Sequence, residues 1–323
     1  MTSPKVRAGG TALVWRLLSD YCARRGLRLD GFDDHGHAGF VEDAAGCRRF
    51  FSGTHFDLNR LGTAKIADDK AYALQLLERD GFPVAGGLLL GATLGDGFDD
   101  ARRFAEEAGY PVYLKPNEGQ EGADVFKVVS PAELKDALDA LSRRHRLVLV
   151  QRNITGSDLR FVVLDGDVLA VFLREPPRLT GNGQDTISAL MAGRASPSAE
   201  DPRVHRELAR QDLTLASVLP DGQGAVLLPN ANLSAGGRGR LVTDSVPDRL
   251  KDMAVRAARS LGLRYAGVDM IVRGLDGPEP EATILEVNAA PGLNRFAAQG
   301  GTETRIVTAV YEHVFDALTG VDQ

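Results

Sequence analysis

The chain has 323 residues, 43% of them hydrophobic, which is enough for a core larger than one small domain needs. A formal net charge of −6 argues against a broad nucleic-acid surface, though it leaves room for a local basic pocket. Cys22 and Cys47 have no metal-ligand spacing and suit a reducing compartment, and no apolar run has the length of a signal core or a membrane span, so a soluble, cytoplasmic protein is expected.

In chain order, TALVWRLLSDYCARRG (11–26) has helical spacing, with Leu13, Trp15, Leu17, Leu18 and Tyr21 on one side and Gly26 at its end. LRLDGF (27–32) predicts a short strand, and the stretch 31–59 is the least readable part of the chain. DKAYALQLLERDG (69–81) predicts a helix closed by Gly81. YPVYLKP (110–116) predicts a strand entering NEGQEGADVFKVV, a polar glycine-bearing turn followed by another strand. SPAELKDALDALS (130–142) has a Ser cap, a first-turn proline and Glu133 three residues after Ser130, the capping-box pattern. Strands are expected at 146–154, 158–175, 225–230, 266–272 and 282–288, the second divided by the hairpin signal LDGD (164–167). Helices are expected at 249–263 and 303–318, and MAGRASPSAEDP (191–202) is a polar surface loop. This alternation predicts an α+β (mixed α/β) enzyme in several lobes.

Chemistry concentrates in a few places. In ATILEVN, Glu286 and Asn288 lie two apart and so share a face of their strand, while Asp269 interrupts the apolar run AGVDMIV. A carboxylate in such a run must be paired, protonated or bound to a cation. Two carboxylates and an amide oxygen suit Mg²⁺, and ordinary salt bridges at strand ends are the alternative. Lys115 ends a strand before a turn bearing Gly119 and Gly122, where backbone N–H groups can approach phosphate oxygens, although this is not the P-loop pattern. Lys70 opens a helix, where a cation gains nothing from the helix dipole. LREPPRLTGNGQDT (173–186), with Arg174 and Arg178, and NANLSAGGRG (230–239) are either anion-binding segments or plain surface loops. The six histidines show no zinc spacing, and no Gly-x-Ser-x-Gly supports a serine nucleophile.

The order DDKAYALQLLERDGFPV, YPVYLKPNEGQEGADV, LVQRNITGSDLRFVVLDGDVLAVFLREPPRLTGNG, NLSAGG, GVDMIV and ILEVNAAPGLN resembles the ATP-grasp carboxylate–amine ligases, in particular the ATP-grasp modules of cyanophycin synthetases and bifunctional glutathione synthetases. The resemblance covers roughly residues 62–296. It implies an ATP-grasp fold, two α+β lobes clasping ATP at 63–155 and 156–323, with a small N-terminal α/β region at 1–62. It implies Lys70 and Lys115 on ATP, the turn Glu118, Gly119 to Gly122 over the triphosphate, and Val150, Gln151, Arg152 and Asn153 as the hinge along adenine. Asp158 would meet the ribose, Asp269, Glu286 and Asn288 would hold Mg²⁺ (or Mn²⁺), and Arg174 would steady the transferred phosphoryl group. Asn232, Ser234, Gly236 and Gly237 resemble the loop that closes near the phosphates.

Two positions depart from the family's pattern. Gln151 stands where a glutamate is common, and Arg295 where histidine often follows the PGL turn, near the substrate carboxylate. The residues given hold neither the Mur-ligase-like half nor the glutamate–cysteine ligase half of those relatives, so a single ligation is expected. The implied activity joins a small-molecule carboxylate and an amine, amino acids or a dipeptide, through an acyl phosphate, with the 115–125 turn and the 231–240 loop closing as lids. Arg174, Arg178 and Arg295 would suit an acidic substrate, and a homodimer is the oligomer the resemblance suggests. The alternatives are a peptide- or protein-modifying ligase of the same fold and a non-catalytic nucleotide-binding protein; the joint presence of Lys70, Lys115, Arg174, Asp269, Glu286 and Asn288 argues against the second.

Overall fold

A helix and a tight antiparallel meander open the computed structural model, which describes residues 12–91, 97–119, 122, 124–194 and 196–320. Thr11 of the expected first helix, and residues 120, 121 and 123 of the expected phosphate turn, lie outside the described residues. Helix α1 (Leu13–Arg25) ends at Gly26 in a left-handed conformation, as the sequence predicts. Strands β1 (Arg28–Gly31), β2 (Ala38–Glu42), β3 (Arg48–Ser52) and β4 (His55–Phe56) then pair in sequence order. This meander fills the stretch that was hardest to read. Its strands are two to five residues long, and β3 buries only Phe51, so no alternation is established.

Helices α2 (Leu61–Asp68) and α3 (Lys70–Arg79) follow, divided at Asp69, whose side chain accepts from Tyr72 N. Strand β5 (Gly87–Gly91), α4 (Gly97–Ala108), β6 (Val112–Pro116), β7 (Phe126–Val128), α5 (Pro131–Ser142) and β8 (Leu147–Arg152) build an antiparallel sheet ordered β5-β8-β6-β7. Its core joins Leu114, Val148 and Val150 to Ala105 of α4 and Leu134, Leu138 and Leu141 of α5. Ser130 caps α5 as expected, but the Glu133 carboxylate reaches back to Val129 N.

The hairpin β9 (Ser157–Leu164) and β10 (Asp167–Glu175) turns at Asp165–Gly166, where the LDGD signal placed it. A small insertion follows, made of β11 (Arg178–Thr180), α6 (Ile187–Met191), α7 (Pro202–Ala209) and β12 (Gly224–Val226), with its own core around Ile187, Val204 and Leu227. Strand β13 (Arg238–Leu241), α8 (Asp248–Ser260), β14 (Tyr265–Arg273), β15 (Glu281–Asn288), α9 (Asn294–Ala297) and α10 (Gly301–Thr319) complete the chain. The main sheet is antiparallel throughout, ordered β13-β10-β9-β14-β15.

That sheet has two unlike faces because strand side chains alternate. Along β9, Leu159, Phe161 and Val163 face a core shared with α2, α3 and α8. Along the other face run Asp158, Arg160, Val162 and Leu164, and the last two pack with Tyr311, Val314 and Phe315 of α10. One end of this second face is therefore roofed by α10, α1 and the meander, and the other end is polar and open. Helices α2 and α3, although they precede β5, pack against β15 of the main sheet. Among the described residues no helix is long and apolar enough to cross a membrane.

Candidate functional site

The polar end of the main sheet forms the floor of a cleft of about 1230 Å³, whose opposite wall is the β5-β8-β6-β7 sheet. A suture at the cleft's edge ties the two sheets together: Ala85 N donates to Ile284 O and Ile284 N to Pro83 O. Strict alternation along β15 would put Ile284 on the face of Glu286. A bulge at Leu285 lets Ile284 and Val287 both enter the core while Glu286 and Asn288 face the cleft. Glu286 thereby stands opposite Asp269 in register.

The carboxylates on this floor are held by cations. Arg160 donates to Asp269 from Nε (2.7 Å) and Nη2 (2.6 Å), and Arg174 Nη2 lies 3.1 Å from the same carboxylate. Arg174 also donates twice to Asp158 Oδ1, at 3.0 and 2.6 Å. Glu286 is held more loosely, with Lys70 Nζ and Arg160 Nη2 each at 3.9 Å. Burial pushes the Glu286 carboxyl upward, yet Lys70, Lys115 and Arg160 overcome it and hold the group well below the usual carboxylate range. Burial lowers the Lys115 ammonium, Lys70 adds to that, and Glu286 and Asp269 oppose it. Burial also raises Asp158 against the pull of Arg174. Lys70, Lys115, Arg160 and Arg174 thus face Asp158, Asp269 and Glu286, and the surplus of positive charge suits a polyanion.

Lys70 is placed by its neighbours despite its unfavourable position at a helix start. Its Nζ donates to Gly119 O at 2.8 Å and to Asn117 O at 3.4 Å, and the fully buried Asn117 accepts from Ala71 N through Oδ1. The glycine turn after β6 is therefore pinned to the head of α3. Gly122 has a φ of +67°, and a Cβ there would meet Asn232 at 2.6 Å, so the expected phosphate turn touches the 230–237 loop. Gln151, 3% exposed, donates Nε2 to Ala85 O at 3.0 Å, which leaves its carbonyl oxygen as an acceptor.

Lys70, Lys115, Gly119, Gly122, Gln151, Arg152, Asp158, Arg174, Asn232, Ser234, Asp269, Glu286, Asn288 and Arg295 all line this cleft. Val150 is buried in the core behind the wall, and Glu118, Asn153, Gly236 and Gly237 do not line the cleft. Arg178 lies exposed at the start of β11, outside the cleft lining. Two participants were not singled out from the sequence. Arg160 stands two residues after Asp158 and so shares its strand face, a signal open to period-2 counting. Asn117 offered none, since its role depends on Ala71, 46 positions away.

A divalent cation fits the donor set. Among the described residues no three acidic, histidine or cysteine side chains gather as ligands, so the candidate set is Asp269 and Glu286 completed by an amide. Asn288 Nδ2 donates to Glu286 Oε1 at 3.3 Å, leaving Oδ1 available; with an Asp269 oxygen released by Arg160 or Arg174, three hard oxygens on one strand pair match Mg²⁺.

A family model described as the RimK-like ATP-grasp domain matches residues 67–184 and 230–310. The cyanophycin synthetase of Trichormus variabilis is 31% identical over 268 residues, covering 78% of this chain and 29% of that protein. The bifunctional glutathione biosynthesis protein of Enterococcus faecalis is 29% identical over 260 residues, covering 73% of this chain and 34% of that protein. The chain thus spans about a third of the length of these curated relatives. In fold it matches the crystal structure of a bifunctional glutathione synthetase from Pasteurella multocida, with a TM-score of 0.58 at 20% identity, covering 94% of this chain and 44% of that one.

Proposed function

Because the chain belongs to the RimK-like ATP-grasp family, we propose that it is an ATP-dependent carboxylate–amine ligase that joins amino acids or short peptides and releases ADP and phosphate. The observation that carries this reading is the convergence of Lys70, Lys115, Arg160 and Arg174 on Asp269 and Glu286 in a cleft between two sheets. A pure adenine-binding site would not require buried carboxylates beside a polyphosphate, whereas phosphoryl transfer does.

A carboxylate resists attack because of its charge and because oxide is a poor leaving group. In the proposed reaction a substrate carboxylate oxygen attacks the γ-phosphorus, the bond to the β-phosphate oxygen breaks, and ADP leaves. The neutral amine of the second substrate then attacks the acyl carbon, a C–N bond forms, and phosphate departs as the amine loses its proton. Lys70 and Lys115 bind phosphate oxygens, and Arg174 offsets charge on the transferred group. For that, Arg174 exchanges part of its contact with Asp158 and Asp269 for the phosphoryl oxygens. Gln151 Oε1 accepts from the adenine amino group, beside an apolar wall of Ile154, Ile271 and Leu285. Asp269, Glu286 and Asn288 would hold Mg²⁺, with Mn²⁺ as a substitute, which neutralises phosphate charge when bound. Gly119, Gly122 and the 230–237 loop, already touching through Gly122 and Asn232, exclude water from the acyl phosphate.

The test is phosphate release from MgATP by the purified protein across amino acids and dipeptides supplied singly and in pairs, with mass spectrometry on each positive reaction. The expected result is release that needs two partners and a product one water lighter than their sum. Release with one partner and no new amide would point to a kinase and overturn the ligase reading.

A further inference from the structure

Between β10 and β13 the chain leaves the main sheet and returns to it at one place, where Glu175 pairs with Arg238. The insertion carried there has a core of its own, and Gln211 ties the end of α7 to β12, accepting from Val226 N at 2.9 Å and donating to Val226 O at 2.8 Å. Arg210, the residue after α7, instead crosses to the β5-β8-β6-β7 sheet. Its Nη2 donates to Lys127 O of β7 at 2.9 Å and to the Glu133 carboxylate of α5 at 2.7 Å. Its Nη1 donates to Glu207 of α7 at 3.1 Å. One turn earlier, the Arg206 guanidinium lies over the Phe126 ring of β7, 5.3 Å from its centre.

The strand gripped in this way is the one that receives the chain from the glycine turn. β7 has three residues and lies at the sheet's edge, paired only with β6, so its own sheet holds it weakly. Its Lys127 stands in register with Tyr113, which lines the cleft beside Lys115 on the same strand face. The far end of the insertion meets the turn a second time, since Gly122 packs against Asn230 and Asn232. Glu133 shows why its capping box is not closed: Oε2 accepts from Val129 N at 3.1 Å and from Arg210, so one oxygen joins the end of β7, the start of α5 and the insertion.

We propose that Arg210 is a positioning residue for the nucleotide site: anchored on Glu133, it straps β7 to the insertion and thereby keeps Gly119 and Gly122 over the polyphosphate, against the segment 230–232. A guanidinium suits this role because its planar fork serves a carbonyl and a carboxylate on different elements at once. The proposal rests on the ligase reading for what the turn covers, whereas the strap itself is a property of the protein without nucleotide.

Two measurements on the full chain test it. Without nucleotide, amide hydrogen exchange in peptides covering 126–129 should be about tenfold faster in Arg210→Ala than in the parent, with β9 and β14 unchanged. By titration calorimetry with Mg²⁺, the same variant should bind AMP-PNP about tenfold more weakly and AMP, which lacks the phosphates under the turn, as the parent does. Arg210→Lys should recover part of both effects, because an ammonium can still reach one of the two acceptors. Glu133→Gln keeps an oxygen for Val129 N and removes the charge, so it reads the same contact from α5 should Arg210→Ala not fold. It should shift both readings in the same direction, and the double variant should fall short of the sum of the two. Arg203→Ala, which breaks a local pair with Asp201 on the same helix, should match the parent. Parental exchange of β7 in Arg210→Ala or Glu133→Gln, equal weakening of AMP and AMP-PNP, or an Arg203→Ala that behaves like Arg210→Ala would overturn the proposal. A parent that binds no AMP-PNP would count against the ligase reading, and hydrogen exchange would still decide on the strap.

Discussion

Arg160 grips both oxygens of Asp269, at 2.7 and 2.6 Å, on a strand where Asp269 is only 1% exposed. The candidate metal carboxylate is therefore charge-compensated by the protein itself before any ligand arrives. Arg160 sits directly across from Asp269 in the β9–β14 register, so the pairing follows from the sheet.

Arg160→Ala leaves Asp269 with Arg174 alone. Removing one side of a buried ion pair costs about 3–5 kcal/mol, and the remaining guanidinium puts the expected loss near the lower figure. Mg²⁺ should recover more of the melting temperature in this variant than in the parent, because a cation can take up the vacated charge. Thermal denaturation with and without Mg²⁺ checks both statements. A variant as stable as the parent would show that Arg174 suffices to neutralise Asp269.

Glu286 has a different balance, since its nearest cations stand at 3.9 Å. Its folded pKa lies below the unfolded value, so its ionised form stabilises the fold above the ordinary carboxylate range, and that contribution is lost as the pH falls toward the folded value. The stability gap between the parent and Glu286→Gln should be constant from about pH 8 to pH 6 and should close below about pH 4. Turnover should be abolished by the same substitution across the whole range. Denaturant unfolding at several pH values decides it; a gap that widens in acid would reverse the assigned sign.

Elements with a clean period were legible in the sequence: β9, β10, β14, β15 and α10 lie within about two residues of their expected limits, and α8 ends three residues before its own. The Asp269–Glu286–Asn288 face was legible for the same reason, although the bulge at Leu285 was not, because Ile284 and Leu285 are interchangeable in an apolar pattern. The meander was not legible, for its strands are short, and Phe40 is covered partly by Arg28 and Arg48 stacking on its ring. Helix α7 was hidden because Pro202 and Asp201, which cap it, also read as loop residues. The docking of the meander beside the end of β15 was illegible because Thr54 and Ala290 meet across 236 positions.

Lys115 gives an alkaline signature. Its folded pKa lies below the unfolded lysine value, so the unfolded chain binds its proton more tightly, and stability rises as the pH climbs between the two. Polyphosphate binding needs the charged form, so nucleotide affinity should fall in the same interval. Lys115→Arg keeps its charge throughout this range and should lose that alkaline limb while retaining some affinity; Lys115→Met should lose most affinity at every pH. Nucleotide titrations between pH 7 and about pH 10 test this. An unchanged limb in Lys115→Arg would assign the titration to another group.

Gln151 carries the prediction about base selection. The Ala85 carbonyl can only accept, so the atom facing it must be the amide nitrogen, and the amide oxygen is left toward the cleft. That oxygen matches the amino group of adenine and would face the oxo group of guanine. Gln151→Leu removes both functions: it leaves a buried carbonyl unpaired, at about 1–3 kcal/mol, and it narrows the preference for ATP over GTP. Gln151→Glu keeps the acceptor but sets a carboxylate against the Ala85 carbonyl, so it should retain the preference for ATP while melting at a lower temperature than the parent. The two variants therefore separate stability from selectivity. Affinities for ATP and GTP measured alongside melting temperatures decide between them, and an unchanged ATP preference in Gln151→Leu would move base reading to the backbone at residues 152–153.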